Sequence, residues 1–72
     1  MTKTLSELKK GKSAIIIEFK NPEIKLQSAR FGIEAGQIIK CIANPGAIVI
    51  QRNSQQIAIG KYLSKEILVK EV

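Results

Sequence analysis

Residues 37–60, QIIKCIANPGAIVIQRNSQQIAIG, decide the fold, because three short apolar segments alternate there with two turn signals. The apolar segments are residues 37–43, 47–52 and 55–60. They are rich in β-branched isoleucine and valine, which favours strands over helices. Asn44-Pro45-Gly46 and Asn53-Ser54, which separate them, are typical of turns. This part of the chain therefore predicts three strands, of which the last two form a hairpin.

Upstream of this segment, the sequence predicts one more strand and one helix. Residues 14–19 (AIIIEF) are too short for a buried helix and predict a strand covered on both faces. In Asn21-Pro22-Glu23, Asn21 suits the N-cap and Pro22 the first helical position, so a helix begins there. We expect it to run through Arg30 and to stop at Gly32, with Ile24 and Phe31 on one stripe.

Leu26 and Ala29 fall on a second stripe of the same helix. The glycines at 32 and 36 then mark a tight connection, and together with Gly46 they suit turn geometry better than a phosphate-binding loop, since no Lys-Ser or Lys-Thr pair follows them.

Both ends of the chain predict further short elements. Thr4 and Glu7 have the spacing of a capping box, which predicts a helix of barely two turns that stops at Gly11. Leu5 and Leu8 on this helix should anchor it to the core. Residues 61–66 predict a single helical turn, and residues 67–72 predict a closing strand. Five short strands with one inserted helix indicate a mainly β chain folded as a small, partly open barrel.

The composition limits what this chain can do. It has 72 residues, 12 of them Lys or Arg and 6 of them acidic, with a net charge of +6 and no His. The length fits one domain over residues 1–72, and the apolar fraction of 44% is that of a globular protein. No apolar run approaches the ~20 residues of a membrane span, and the N-terminus lacks a signal-peptide core. We therefore expect a small intracellular module.

The chain also lacks the residues that most catalytic and metal sites need. A lone Cys41 and the absence of His leave no disulfide, no zinc cage and no Ser-His-Asp or Cys-His arrangement. The sequence therefore predicts no enzyme, no catalytic residue, no metal site and no cofactor. Alternation along its strand places Cys41 with Ile39 and Ala43, where it should pack as a small apolar side chain.

The positive charge allows two interpretations. Nucleic-acid binding requires a focused positive face, and single-strand binding adds stacking aromatics. The alternative, that dispersed lysines keep a small domain soluble and protect its sheet edges, is favoured because the predicted strands carry isoleucine rather than aromatic residues. The same charge would also suit a membrane surface that carries anionic lipid.

Four short motifs, taken in order, resemble the FeoA (ferrous-iron transport protein A) family. They are Thr4-Leu5-Ser6-Glu7-Leu8 with Gly11, Phe31-Gly32-Ile33 with Gly36, Ile57-Ala58-Ile59-Gly60, and Ile67 with Val69. The resemblance extends from Leu5 to Val72. It implies an SH3-like barrel with an inserted helix, and a cytosolic accessory of bacterial ferrous-iron uptake. The basic nucleic-acid-binding module remains the alternative.

The partner that this resemblance implies is a membrane ferrous-iron transporter with a GTPase domain (FeoB-like). The chain would then be cytoplasmic and would reach the inner membrane through that partner, with no small-molecule substrate and no nucleic acid. It remains open whether the contact stimulates GTP hydrolysis, gates transport or aids assembly, and whether the chain forms homo-oligomers.

The partner-binding residues that we predict lie at the exit of the central helix. Arg30, Phe31 and Ile33 stand there, and arginine and aromatic side chains are enriched at interfaces. The competing interpretation is that Phe31 and Ile33 belong to the core, which leaves Arg30 as the better interface candidate.

Overall fold

The computed structural model describes residues 2–72 and contains six strands, two helices and one 3₁₀ turn. The strands are β1 (Thr2–Thr4), β2 (Ser13–Phe19), β3 (Ile38–Ala43), β4 (Ile48–Arg52), β5 (Gln55–Ile59) and β6 (Ile67–Glu71). The helices are α1 (Pro22–Arg30) and α2 (Lys61–Ser64), and the 3₁₀ turn is Leu5–Glu7.

All strand pairs are antiparallel and form one sheet in the order β1-β6-β2-β3-β4-β5. The mainly β, SH3-like fold with an inserted helix is confirmed. The prediction of about five strands omitted β1, which has three residues and no apolar side chain. It exists because its backbone pairs with β6, with Thr2 opposite Lys70, and such pairing between the two ends of the chain leaves no local signal.

The core consists of aliphatic side chains that point to one side of this curved sheet. In β2 to β4 the inward positions alternate with outward ones, as the pleat of a strand requires. Leu5 and Leu8 are fully buried, as predicted from their spacing. Cys41 is also fully buried in this cluster, which confirms the expectation that it packs as an apolar residue.

The N-terminal helix is shorter than predicted. The Glu7 carboxylate accepts a hydrogen bond from the Thr4 N–H at 2.9 Å, as a capping box requires, but the helical segment is a single 3₁₀ turn. It ends because Leu8 is extended, with φ −72° and ψ 130°. The Asn44 amide then donates to the carbonyls of Ser6 and Leu8, both at 3.1 Å, where a longer helix would have used backbone N–H groups.

Within residues 2–72, no helix combines the length and apolar character that crossing a bilayer requires.

Candidate partner-binding surface

α1 begins where the sequence predicts it. The Asn21 side chain accepts a hydrogen bond from the Ile24 N–H at 2.9 Å, and Pro22 occupies the first turn. Ile24 and Ser28, four residues apart, face the core and are buried. Phe31 does not continue this stripe, contrary to the prediction, because the helix ends at Arg30 and Phe31 has φ −96° and ψ 5°.

A tight turn ends α1. The Gly32 N–H donates to the Ala29 carbonyl at 2.9 Å, and the Ile33 N–H donates to the Ser28 carbonyl at 3.0 Å. Gly32 has φ +78°, a left-handed conformation in which a side chain is strained. A Cβ at this position would also lie 2.8 Å from Nη2 of Arg52, so a side chain here would displace the end of the Arg52 side chain.

Arg52 ties this turn to the β4–β5 hairpin. Its Nη1 donates to the Gly32 carbonyl, and its Nη2 donates to Oε1 of Gln55 at 2.7 Å. The Gln37 amide donates to the same Gly32 carbonyl at 2.9 Å. Hydrogen bonds from a charged donor are stronger than those between neutral groups, so the exit of α1 is held rigidly against the sheet. Sequence reasoning did not identify Arg52, because the contact joins residues 20 positions apart.

The three predicted partner-binding residues have different environments. Arg30 is exposed, and Phe31 retains 53% of its accessible surface. Ile33 is 1% exposed and belongs to the core, so it supports the turn but presents no surface to a partner. Leu26, which sequence reasoning placed only on a second stripe, is 63% exposed and precedes Arg30 by one helical turn. We call Leu26, Arg30 and Phe31 the α1 outer surface.

A shallow groove of about 490 Å³ lies between the end of β2 and the first turns of α1. Ile17, Phe19, Pro22, Lys25 and Ala35 contribute to its walls. A smaller hollow of about 230 Å³ shares Phe19, Lys25 and Ala35 with it and continues the groove. Sequence reasoning did not predict this groove, which forms where β2 passes into α1 and Ala35 packs beside them.

Cys41 is a free thiol in the core, where its surroundings affect its reactivity. Burial raises the pKa of the Cys41 thiol, which disfavours the reactive thiolate. In the part of the chain that the structure describes, residues 2–72, no three Cys, Asp or Glu side chains form a group that could hold a metal ion.

The family model of the FeoA domain matches residues 3–71. The chain belongs to the FeoA family. The resemblance noted in its motifs is therefore confirmed. No curated protein sequence matches this FeoA-family chain.

Solved structures agree with this assignment. A crystal structure of an iron uptake regulatory protein (FeoA) shares 25% identity, with a TM-score of 0.90 over 100% of this chain and 99% of that one. The FeoA-like protein from Clostridium acetobutylicum shares 19% identity, with a TM-score of 0.87 over 99% and 87% of the two chains. IdeR of T. acidophilum shares 18% identity, with a TM-score of 0.88 over 99% of this chain and 34% of IdeR.

Family membership defines the general role. FeoA domains are small, non-catalytic accessory domains, and the family implies an accessory role in ferrous-iron transport. The match to IdeR, at lower identity, shows that the same fold also occurs as a part of a longer chain.

Proposed function

We propose that this FeoA-family chain acts in ferrous-iron uptake by binding the GTPase-bearing membrane transporter through its α1 outer surface. The observation that carries the proposal is the exposure of Phe31 and Leu26, at 53% and 63%, on a helix whose exit is fixed to the sheet. The fold does not bury these two side chains, whereas it buries Ile24 and Ile33 beside them.

The shape of this surface suits protein recognition. Interface energy usually comes from a few aromatic, arginine or large aliphatic side chains that lose contact with water on binding. Leu26 and Arg30 lie one turn apart on α1, and Phe31 follows directly, so the three can enter one site on a partner. Because Arg52 and Gln37 hold the Gly32 carbonyl, little conformational freedom is lost when Phe31 binds.

The test measures binding of the purified chain to the purified full-length transporter in detergent. We expect Phe31→Ser and Leu26→Ser each to weaken binding by about ten-fold or more, the range of interface hot spots. Both side chains are more than half exposed, so the variants should unfold at nearly the wild-type temperature.

Tyr62→Ser is the matched control. Tyr62 is 80% exposed and lies on α2, away from the α1 outer surface, so the variant loses a large exposed side chain without changing the proposed site. Equal binding losses for Phe31→Ser and Tyr62→Ser, or no binding by the wild-type chain, would overturn the proposal.

A further inference from the structure

The outward face of the sheet carries exposed aliphatic side chains. Ile15 on β2 lies between Ile38 on β3 and Lys70 on β6, directly opposite each of them in the register. The neighbouring positions Ile16 and Ile39 point inward and are buried, so Ile15, Ile38 and Lys70 share the outer side. Ile38 keeps 62% of its surface accessible. The fold therefore leaves an apolar patch in contact with water beside a lysine.

Lysines converge at one end of this patch. The Gly11 N–H donates to the Cys41 carbonyl, and the Cys41 N–H donates to the Lys12 carbonyl, both at 2.8 Å. These bonds hold the turn before β2 against β3, where Lys40 is opposite Ser13. We call the lysines on this turn and on the adjoining strand ends the basic end: Lys9, Lys10, Lys12, Lys40 and Lys70.

The strand register thus changes how the charge is interpreted. The sequence suggested dispersed lysines, but the fold gathers these at the start of β2 and the end of β6. Glu71 lies near this end; the hydrogen bond and the charge of Lys3 are the main causes that lower its pKa, and the charges of Lys12 and Lys9 add to them. Glu18, the outward carboxylate on β2, lies beyond a bulge, where it lines the groove beside α1.

We propose that the basic end and the outer patch of Ile15, Ile38 and Val72 dock directly on a bilayer that contains anionic lipid. Val72 is 71% exposed and joins the patch because its N–H donates to the Ser13 carbonyl at 3.0 Å. Lysines attract anionic headgroups, and aliphatic side chains beside them enter the boundary between headgroups and acyl chains.

The residue types favour lipid over nucleic acid. Single-stranded nucleic acids bind best where aromatic side chains stack on bases, but the aromatics of this chain lie elsewhere. Phe19 lines the groove, Phe31 ends α1, and Tyr62 lies on α2. Both arginines, Arg30 and Arg52, belong to the region around the α1 exit. This inference does not depend on contact with the transporter, since it uses the sheet face rather than α1.

The experiment is co-sedimentation of the purified chain with lipid vesicles. We expect binding to vesicles of phosphatidylcholine mixed with phosphatidylglycerol, weaker binding as salt is raised, and none to phosphatidylcholine alone. The double variant Lys40→Gln/Lys70→Gln should weaken binding about 25-fold, because each lysine near an anionic surface contributes about five-fold.

Two further variants make the test specific. Lys61→Gln/Lys65→Gln removes the same charge from α2 and the residue that follows it, before the opposite end of β6, and should bind like wild type. Ile38→Gln should weaken vesicle binding about ten-fold without unfolding the chain, since its side chain is mostly exposed.

Three outcomes would overturn the proposal. The first is no binding to the phosphatidylglycerol vesicles. The second is equal losses for the two double-lysine variants, which would indicate net charge alone. The third is a combined result, in which Ile38→Gln leaves vesicle binding unchanged and duplex DNA or RNA competes fully with the vesicles for the chain. That result would assign the basic end to nucleic-acid binding.

Discussion

The 3₁₀ turn near the N-terminus and the exit of α1 both have carbonyl groups bound by a side chain from elsewhere in the fold, but their large side chains differ in burial. Each is a short segment whose terminal carbonyl groups are bound by a side chain from the sheet region: Asn44 in the first case and Arg52 in the second. In the first segment Leu5 and Leu8 are fully buried. At the second, Phe31 stays half exposed.

This difference in burial distinguishes side chains that stabilise the fold from side chains that are accessible to a partner. Leu5 and Leu8 fill the space at the end of the sheet, so their removal would leave a cavity. Phe31 contributes little to the core, and the turn beside it is held by hydrogen bonds from Arg52 and Gln37 to the Gly32 carbonyl. The Phe31 ring is therefore available for contacts outside the fold.

The largest expected difference in stability is between variants that truncate one large side chain in each segment. Leu5→Ala should lower the free energy of unfolding by about 2–5 kcal/mol, because it creates a cavity in a close-packed core. Phe31→Ala should lower it by less than about 1 kcal/mol, since half of the ring already contacts water. Urea unfolding of both variants measures the two values. A loss at Phe31 as large as that at Leu5 would mean that Phe31 is a core residue after all.

A smaller difference in stability tests the contact between Arg52 and the turn after α1. Gly32→Ala and Gly36→Ala both place a side chain at positive φ, +78° and +92°, and each should cost about 1–2 kcal/mol in backbone strain. Only at Gly32 would the new Cβ also meet the Arg52 guanidinium; at Gly36 nothing lies within 4 Å. Urea unfolding should therefore show a greater loss for Gly32→Ala.

The Arg52→Ala background provides the control for this pair. With the guanidinium removed, the two glycine variants should lose equal stability relative to their parent, because only the backbone strain remains. A difference that persists in that background would show that Arg52 is not its cause.

The sequence predicted the features that depend on neighbouring residues. Runs of β-branched residues located five of the six strands, and Asn21-Pro22 located the start of α1. The family motifs predicted the SH3-like fold. The stripe that paired Phe31 with Ile24 was wrong because it assumed helical geometry past Arg30, where the helix ends.

Features that depend on distant pairing left no local pattern. β1 forms only against β6, and the contact between Arg52 and Gly32 joins two separate elements. Lys40 and Lys70 both lie opposite β2 because of the register of three strands that are far apart in sequence. Composition gave the net charge correctly but could not place it on a surface.

The smallest expected effect is a difference in acid sensitivity between the two segments. Hydrogen bonds from the Thr4 backbone and side chain lower the pKa of Glu7 below its ordinary value of 4.5, with the backbone bond as the main cause. A carboxylate with a lowered pKa stabilises the folded state above pH 4.5, and this contribution is lost as the pH falls from there through the folded-state pKa. The exit of α1 depends on no carboxylate, because Arg52 donates to the Gly32 carbonyl and to the Gln55 side-chain amide oxygen. Glu7→Gln should therefore be slightly less stable than wild type at neutral pH and indistinguishable from it in strong acid.

Amide hydrogen exchange of Leu8 and Gly32, followed through the same pH range, distinguishes the two segments. We expect faster exchange in acid at Leu8 alone. Equally faster exchange at both amides would mean that the two segments open together and are not independently held.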